Sequence, residues 1–179
     1  MDETKALQDI FVKFGFQDYK FMGPQQIVVG HWVRMKCRFG CGEYGHNASC
    51  PPNTPPVEEC RAFFRDYNRA AIFRFEKQVD KPEDRHAWSK GVNSKLVDLE
   101  REVFLAGYYK AFLLAMDSCT LCKECTGSRE TCRIPRRARP SPESMAVDVY
   151  ATVRNIGYPI QVLDNYDRIM NRYAFLLID

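Results

Sequence analysis

A chain of 179 residues, 45% apolar and 13% aromatic, can close one hydrophobic core without cross-links and suits a single domain over 1–179. A formal net charge of +3 is too small to argue for a nucleic-acid partner, and no run of eighteen apolar residues is present to cross a membrane. The opening MDETKALQDIF lacks the basic region and apolar run of a secretion signal. The expected location is therefore cytoplasmic, where eight cysteines stay reduced and indicate metal binding rather than four disulfides.

Leu7, Ile10, Phe11 and Phe14 fall at helical spacing and predict a helix over 3–14 that ends near Gly15, within an N-terminal lead-in of 1–26. IVVGHWVRM, 27–35, is β-branched and aromatic and predicts a strand entering the first cysteine group, 27–60. The segment CRFGCGEYGHNASCPPNTPP is too rich in Gly, Asn and Pro for regular structure. Val57, Phe63, Phe64 and Tyr67 then predict a helix carrying Cys60 in its first turns.

The body, 61–118, reads as a strand over 71–79 and a helix over about 94–107 closed by Gly107. Residues 108–116 either continue that helix or, the favoured reading, form a buried strand that runs into the second cysteine group, 119–140; periodicity alone does not decide. In the C-terminal part, 141–179, Ser141 suits a helix cap and Pro142 the first helical position. Met145, Val149, Val153 and Ile156 line one face of a helix ended by Gly157 and Pro159, and RYAFLLID closes the chain as a strand. The expected fold class is α+β, with a small mixed β-sheet, flanking helices and two long cysteine-rich loops that bind clusters.

The second cysteine group, Cys119, Cys122, Cys125 and Cys132, is spaced C-x2-C-x2-C-x6-C. Three thiols at successive three-residue steps wrap one corner of a cubane and a fourth closes it, a distant likeness to the two-cluster ferredoxin pattern. Here the last gap is longer, and Arg133 and Ile134 precede Pro135. Structural zinc prefers two separated cysteine pairs, so it is the alternative metal. The first group, Cys37, Cys41, Cys50 and Cys60, is C-x3-C-x8-C-x9-C; Gly40, Gly42 and Gly45 let backbone amides approach sulfur. Its plain reading is a glycine-rich loop with incidental thiols. Fully loaded with two cluster cores, the chain would carry a charge of about −1.

His46 reads as a solvent-facing loop residue, with a part in the first site as the alternative, and His31 and His86 read as structural. Arg133, Arg136, Arg137 and Arg139 either offset cluster charge or offer a docking patch to an acidic redox partner; a solvated loop is the simple alternative. Tyr108, Tyr109 and Lys110 read as amphipathic packing rather than a catalytic pair. There is no dinucleotide fingerprint, phosphate loop or nucleophile elbow, and no catalytic residue is identified.

KCRFGCGEYGHNASCPPNTPP, REVFLAGYYKAFLLAMDSCTLCKEC and CRIPRRARPSPESMAVDV together resemble a family of predicted, cysteine-rich metal-binding proteins found mostly in anaerobic bacteria and archaea. The likeness runs from about residue 30 to the C-terminus. It implies that all eight cysteines are ligands and that iron–sulfur clusters are the cargo; it implies no reaction. One partition gives each cysteine group its own cluster; in the other, Cys60 and Cys132 trade places. The expected function is electron transfer through two [4Fe–4S] clusters, to or from a larger redox enzyme, as a carrier or accessory subunit rather than a stand-alone enzyme. The alternatives are a cluster-dependent reductase or activator of a cofactor enzyme, and a zinc-stabilised interaction module.

Overall fold

A computed structural model describes residues 3–165 and 167–179. The first helix, α1 (Glu3–Lys13), leads to β1 (Tyr19–Met22), α2 (His31–Gly40) and α3 (Val57–Arg65). Next come β2 (Ala70–Lys77), α4 (Pro82–Leu105), β3 (Phe112–Leu114), α5 (Val149–Asn155) and β4 (Met170–Leu177). The strands form one sheet in the order β1-β2-β4-β3. The fold is α+β, as expected, but the sheet is antiparallel at every pairing rather than mixed.

Strand alternation explains the layering. Ala70 and Ile72 of β2, with Tyr173, Phe175 and Leu177 of β4, face a cluster built on α3, α5 and Val29. Ala71 and Phe73, with Ala174 and Leu176, face the opposite cluster, which buries Leu7 and Phe11 of α1 and Leu96, Leu99 and Val103 of α4. Each fully buried Leu or Phe contributes about 1.5–3 kcal/mol, so two covered faces supply the core without any cross-link.

The edge strand β3 is protected by a side chain. Glu100 of α4, only 5% exposed, accepts the Leu113 amide at 2.9 Å. The same carboxylate is paired with Arg139, whose Nε lies 2.8 and 2.9 Å from its two oxygens. The arginine supplies the charge that a buried carboxylate requires, and the carboxylate occupies a strand edge that would otherwise seek another strand.

Four elements depart from expectation. Residues 31–35 are helical, not extended: Gly30, extended, caps α2, and of the expected strand only Val29 makes a β contact, an isolated bridge to Val147. The β-branched run stops at the glycine, and from there Val33 and Cys37, four apart, turn one helix face inward. Helix α4 begins at Pro82 rather than 94, because Pro82 fits a first helical position and Glu83 and Asp84 complement the dipole. The helix expected from Ser141 is broken. Ser141 Oγ accepts the Ser144 amide in a 3-10 turn at Glu143–Met145, Ala146 adopts φ +60°, and Asp148 caps α5 afresh by accepting the Ala151 amide at 2.9 Å. Strand β1 lies in a lead-in for which no strand was expected; Tyr19 and Phe21 join the aromatic cluster around Phe11.

Among the described residues, no helix is long and apolar enough to cross a membrane.

Candidate metal centre

All eight cysteines are free thiols. Cys37 rides on α2, Cys41 follows its last turn, Cys50 lies buried in the loop, and Cys60, fully buried, sits in the first turns of α3. The second group occupies an irregular segment between β3 and the 3-10 turn at Glu143. The structure brings Cys122, Cys125 and Cys132 within electrostatic reach of Cys119. Burial first, then the charges of Cys125, Cys132 and Cys122, raise the Cys119 thiol, while the Leu121 backbone amide opposes them.

The first group gathers less evenly. Burial pushes Cys50 up to about 12, helped by Glu43, Cys41, Cys37 and Cys119. Burial and Cys41 raise Cys37, and the Arg34 guanidinium opposes them. Cys60 is raised by burial and lowered by Arg34, with no other cysteine contributing. Its Sγ donates to the Pro55 carbonyl at 3.3 Å, and Arg34 Nη2 stands 3.9 Å from the sulfur. As they stand, no three His, Cys, Asp or Glu side chains among the described residues converge tightly enough to hold a metal ion.

The two loops interlock, which spacing did not foreshadow. Asn47, 2% exposed, donates to the Glu43 carboxylate at 3.1 Å and to the Cys119 carbonyl at 2.9 Å, and accepts the Ser49 amide at 3.0 Å. Asn53 donates to the Asn47 and Gly127 carbonyls and accepts the Arg129 amide. The Ala48 amide donates to Cys125 Sγ at 3.3 Å, so a first-loop amide already serves a second-loop sulfur. Gly127 has φ +76°, and a Cβ there would meet the Gly45 carbonyl oxygen at 3.6 Å; the backbone turn, more than the space, favours glycine.

The sequence profile of the family described as "Predicted metal-binding protein (DUF2284)" matches residues 20–178, which takes in both cysteine loops. The chain belongs to this family. No curated protein and no solved structure matches it. The description of DUF2284 as a predicted metal-binding family is consistent with a metal cofactor on this chain.

Within this DUF2284 chain the other sequence-selected residues fall in varied places. Arg137 pairs with Asp98 at 2.8 Å and donates to Ser94, and Arg139 pairs with Glu100, so these two hold the second loop against α4. Arg133 and Arg136 are exposed. His46 and His86 are exposed; His31 lies 3.0 Å from Glu58, and that contact holds the Glu58 carboxyl below its ordinary range. Tyr109 is exposed, and Lys110 donates to the Asp66 carbonyl at 3.0 Å.

Three residues that matter here carried no sequence signal of function. Asn47 and Asn53 look like ordinary turn formers. Arg34 stands one helical turn before Cys37, a relation concealed by the strand reading of 27–35. Its Nη2 donates to the Pro55 and Ser144 carbonyls at 3.0 Å each, which fixes a positive charge beside Cys37 and Cys60.

Proposed function

We propose that the eight cysteines hold two [4Fe–4S] clusters, one on Cys37, Cys41, Cys50 and Cys60 and the other on Cys119, Cys122, Cys125 and Cys132. On this reading the protein passes electrons to or from a larger redox enzyme. The observation that carries it is the interlock of the two loops through Asn47, Asn53 and the Ala48 amide on Cys125. Loops held in this way would keep two redox centres adjacent within one rigid frame.

The donor set fits such groups. Eight unpaired thiols are available, an amide reaches one sulfur, and Arg34 places positive charge where thiolates would accumulate negative charge. The loops must still draw in around the metal, an ordering that metal binding itself drives. When bound, the clusters supply one-electron redox chemistry. The thiols release their protons and ligate, Arg34 offsets charge, and Arg137 and Arg139 hold the second loop on α4. Exposed Trp32, Met35 and Phe39 on α2, together with Arg133 and Arg136, give an acidic redox partner both apolar and cationic contacts.

A second reading, a cluster-dependent reductase or activator, is favoured by a cavity of about 420 Å³ lined by Met116, Asp117 and Arg172, next to the start of the second cysteine loop.

Protein purified without oxygen is expected to contain about eight iron and eight sulfide per chain, with paramagnetic signals after reduction. Cys122→Ser is expected to lose about half of the iron and to melt lower. Zinc in a colourless folded protein, or unchanged iron in Cys122→Ser, would overturn the proposal. Arg133→Glu combined with Arg136→Glu is expected to slow reduction by an acidic ferredoxin and to weaken its salt dependence while iron content holds. An unaltered rate and salt dependence would remove the docking role.

A further inference from the structure

Helix α2 presents one apolar stripe to solvent. Trp32, Met35 and Phe39 are 48%, 45% and 78% exposed, while Val33, on another face of the same helix, is buried. Their spacing, three residues and then four, is the a, d, a order of a heptad, which makes a seam along a helix. The positions that flank such a seam, e and g, are Lys36 and Arg38, and both are exposed. Cys37 falls at f, on the face turned away, so a helix laid along the stripe would leave its sulfur untouched.

The seam is shaped before anything covers it. A Cβ at Gly30 would meet Trp32 Cδ1 and Nε1 at 2.9 Å, so the indole rests on bare glycine backbone. Lys36 Nζ lies 5.5 Å from the centroid of that ring, and the Arg38 guanidinium lies 5.5 Å from the centroid of Phe39. Aromatic residues, Met and Arg are the types enriched at the centres of protein interfaces. No acidic residue occurs in α2; the carboxylate that reaches it is Glu58, 3.0 Å from His31 at its first residue.

We propose that α2 seats an amphipathic helix of an acidic redox partner, apolar at a and d and carboxylate-bearing at e and g. Flanking charges select the partner in such seams, and two cationic flanks match acidic ones. The same cations would face each other between two copies of this chain, which disfavours self-pairing. A lipid surface needs a broader apolar face than three side chains, because membrane binding grows with the apolar area buried. The proposal rests on the electron-transfer reading for the partner's redox role and names the surface used. Docking there sets the partner about one helix diameter, about 10–12 Å, from Cys37.

The test is calorimetric titration of the oxygen-free full chain with a helical peptide of about three heptads, Leu at a and d and Glu at e and g, and with its Lys-flanked twin. Saturable binding of the Glu peptide with Kd below about 1 mM is expected, and at least about tenfold weaker binding of the Lys peptide. Lys36→Glu combined with Arg38→Glu should reverse that preference. Phe39→Ser should weaken binding of the Glu peptide by about tenfold or more. Gly30 has φ −78° neither required nor present: its φ of −131° suits any residue, so Gly30→Ala displaces the Trp32 ring and should weaken binding by about threefold or more at an unchanged melting temperature. Absence of Glu-peptide binding, equal binding of both peptides, or wild-type binding in Phe39→Ser would overturn the proposal. So would binding of phosphatidylserine vesicles, lost in Phe39→Ser, by a chain that ignores the peptide. Iron analysis of the same samples separates the two readings: a chain that holds iron but ignores the peptide ends this proposal alone, and one that binds the peptide without iron ends only the cluster reading.

Discussion

Cys50 is 8% exposed and faces the charges of Glu43, Cys41, Cys37 and Cys119; burial first, and then these charges, hold its thiol at about 12 against an ordinary 9.0. In the unfolded chain the same thiol ionises near 9, so the folded state binds the proton more tightly. Its contribution to stability is therefore complete below about pH 9 and is lost as pH rises towards 12, by up to about 1.4 kcal/mol per pH unit. Tyr67, raised from 10.0 to about 12, chiefly by burial, adds to the same decline above pH 10. Denaturant titrations of the metal-free protein from about pH 8 to about pH 11 are expected to show falling stability, with a shallower fall in Cys50→Ser. An equally steep fall in that variant would mean that Cys50 is not enclosed. The same protons must leave before a metal can bind, so metal uptake is expected to strengthen with pH over this range.

At the scale of elements, β3 depends on a carboxylate–guanidinium pair rather than on a neighbouring strand along its outer edge. Arg139→Met would leave Glu100 charged and uncompensated, and is expected to cost about 3–5 kcal/mol. Adding Glu100→Gln should restore most of that, because the amide oxygen can still accept from Leu113 and no buried charge remains. Chemical denaturation of the two variants measures the difference; a double variant as unstable as the single one would show that the pair does not act through charge. Helices α1 and α3 and strands β2 and β4 were legible because an apolar stripe or an alternating run marks each. Helix α2 was not, since Ile27, Val28 and Val29 bias the window towards strand while Gly30 moves the boundary within it.

Across the whole molecule, the two cysteine loops form one unit. Asn47 bonds Glu43, Ser49 and Cys119 from a buried position, so Asn47→Ala is expected to cost about 2–3 kcal/mol. Because one of those bonds reaches the second loop, metal content is expected to drop in both cysteine groups, beyond the half-loss of a single ligand variant. Metal per chain and melting temperature, compared with Cys122→Ser, check this. A loss confined to one group's share would make the loops independent modules.

The sequence by itself determined the chemical theme: eight reduced thiols in two groups on a chain able to fold without them, in an α+β frame, with metal binding now supported by the family match. Local patterns suffice for these conclusions, because cysteine spacing and apolar periodicity are properties of short windows. Tertiary structure alone decided that Asn47 meets Cys119 and Asn53 meets Gly127, pairs 72 and 74 positions apart. It also turned Arg137 and Arg139 inward and assembled Asp117, Asn171 and Arg85 around one cavity. Side-chain hydrogen bonds between distant loops leave no periodic trace in a sequence, since the partners are chosen by the packing of the sheet and not by their neighbours in the chain.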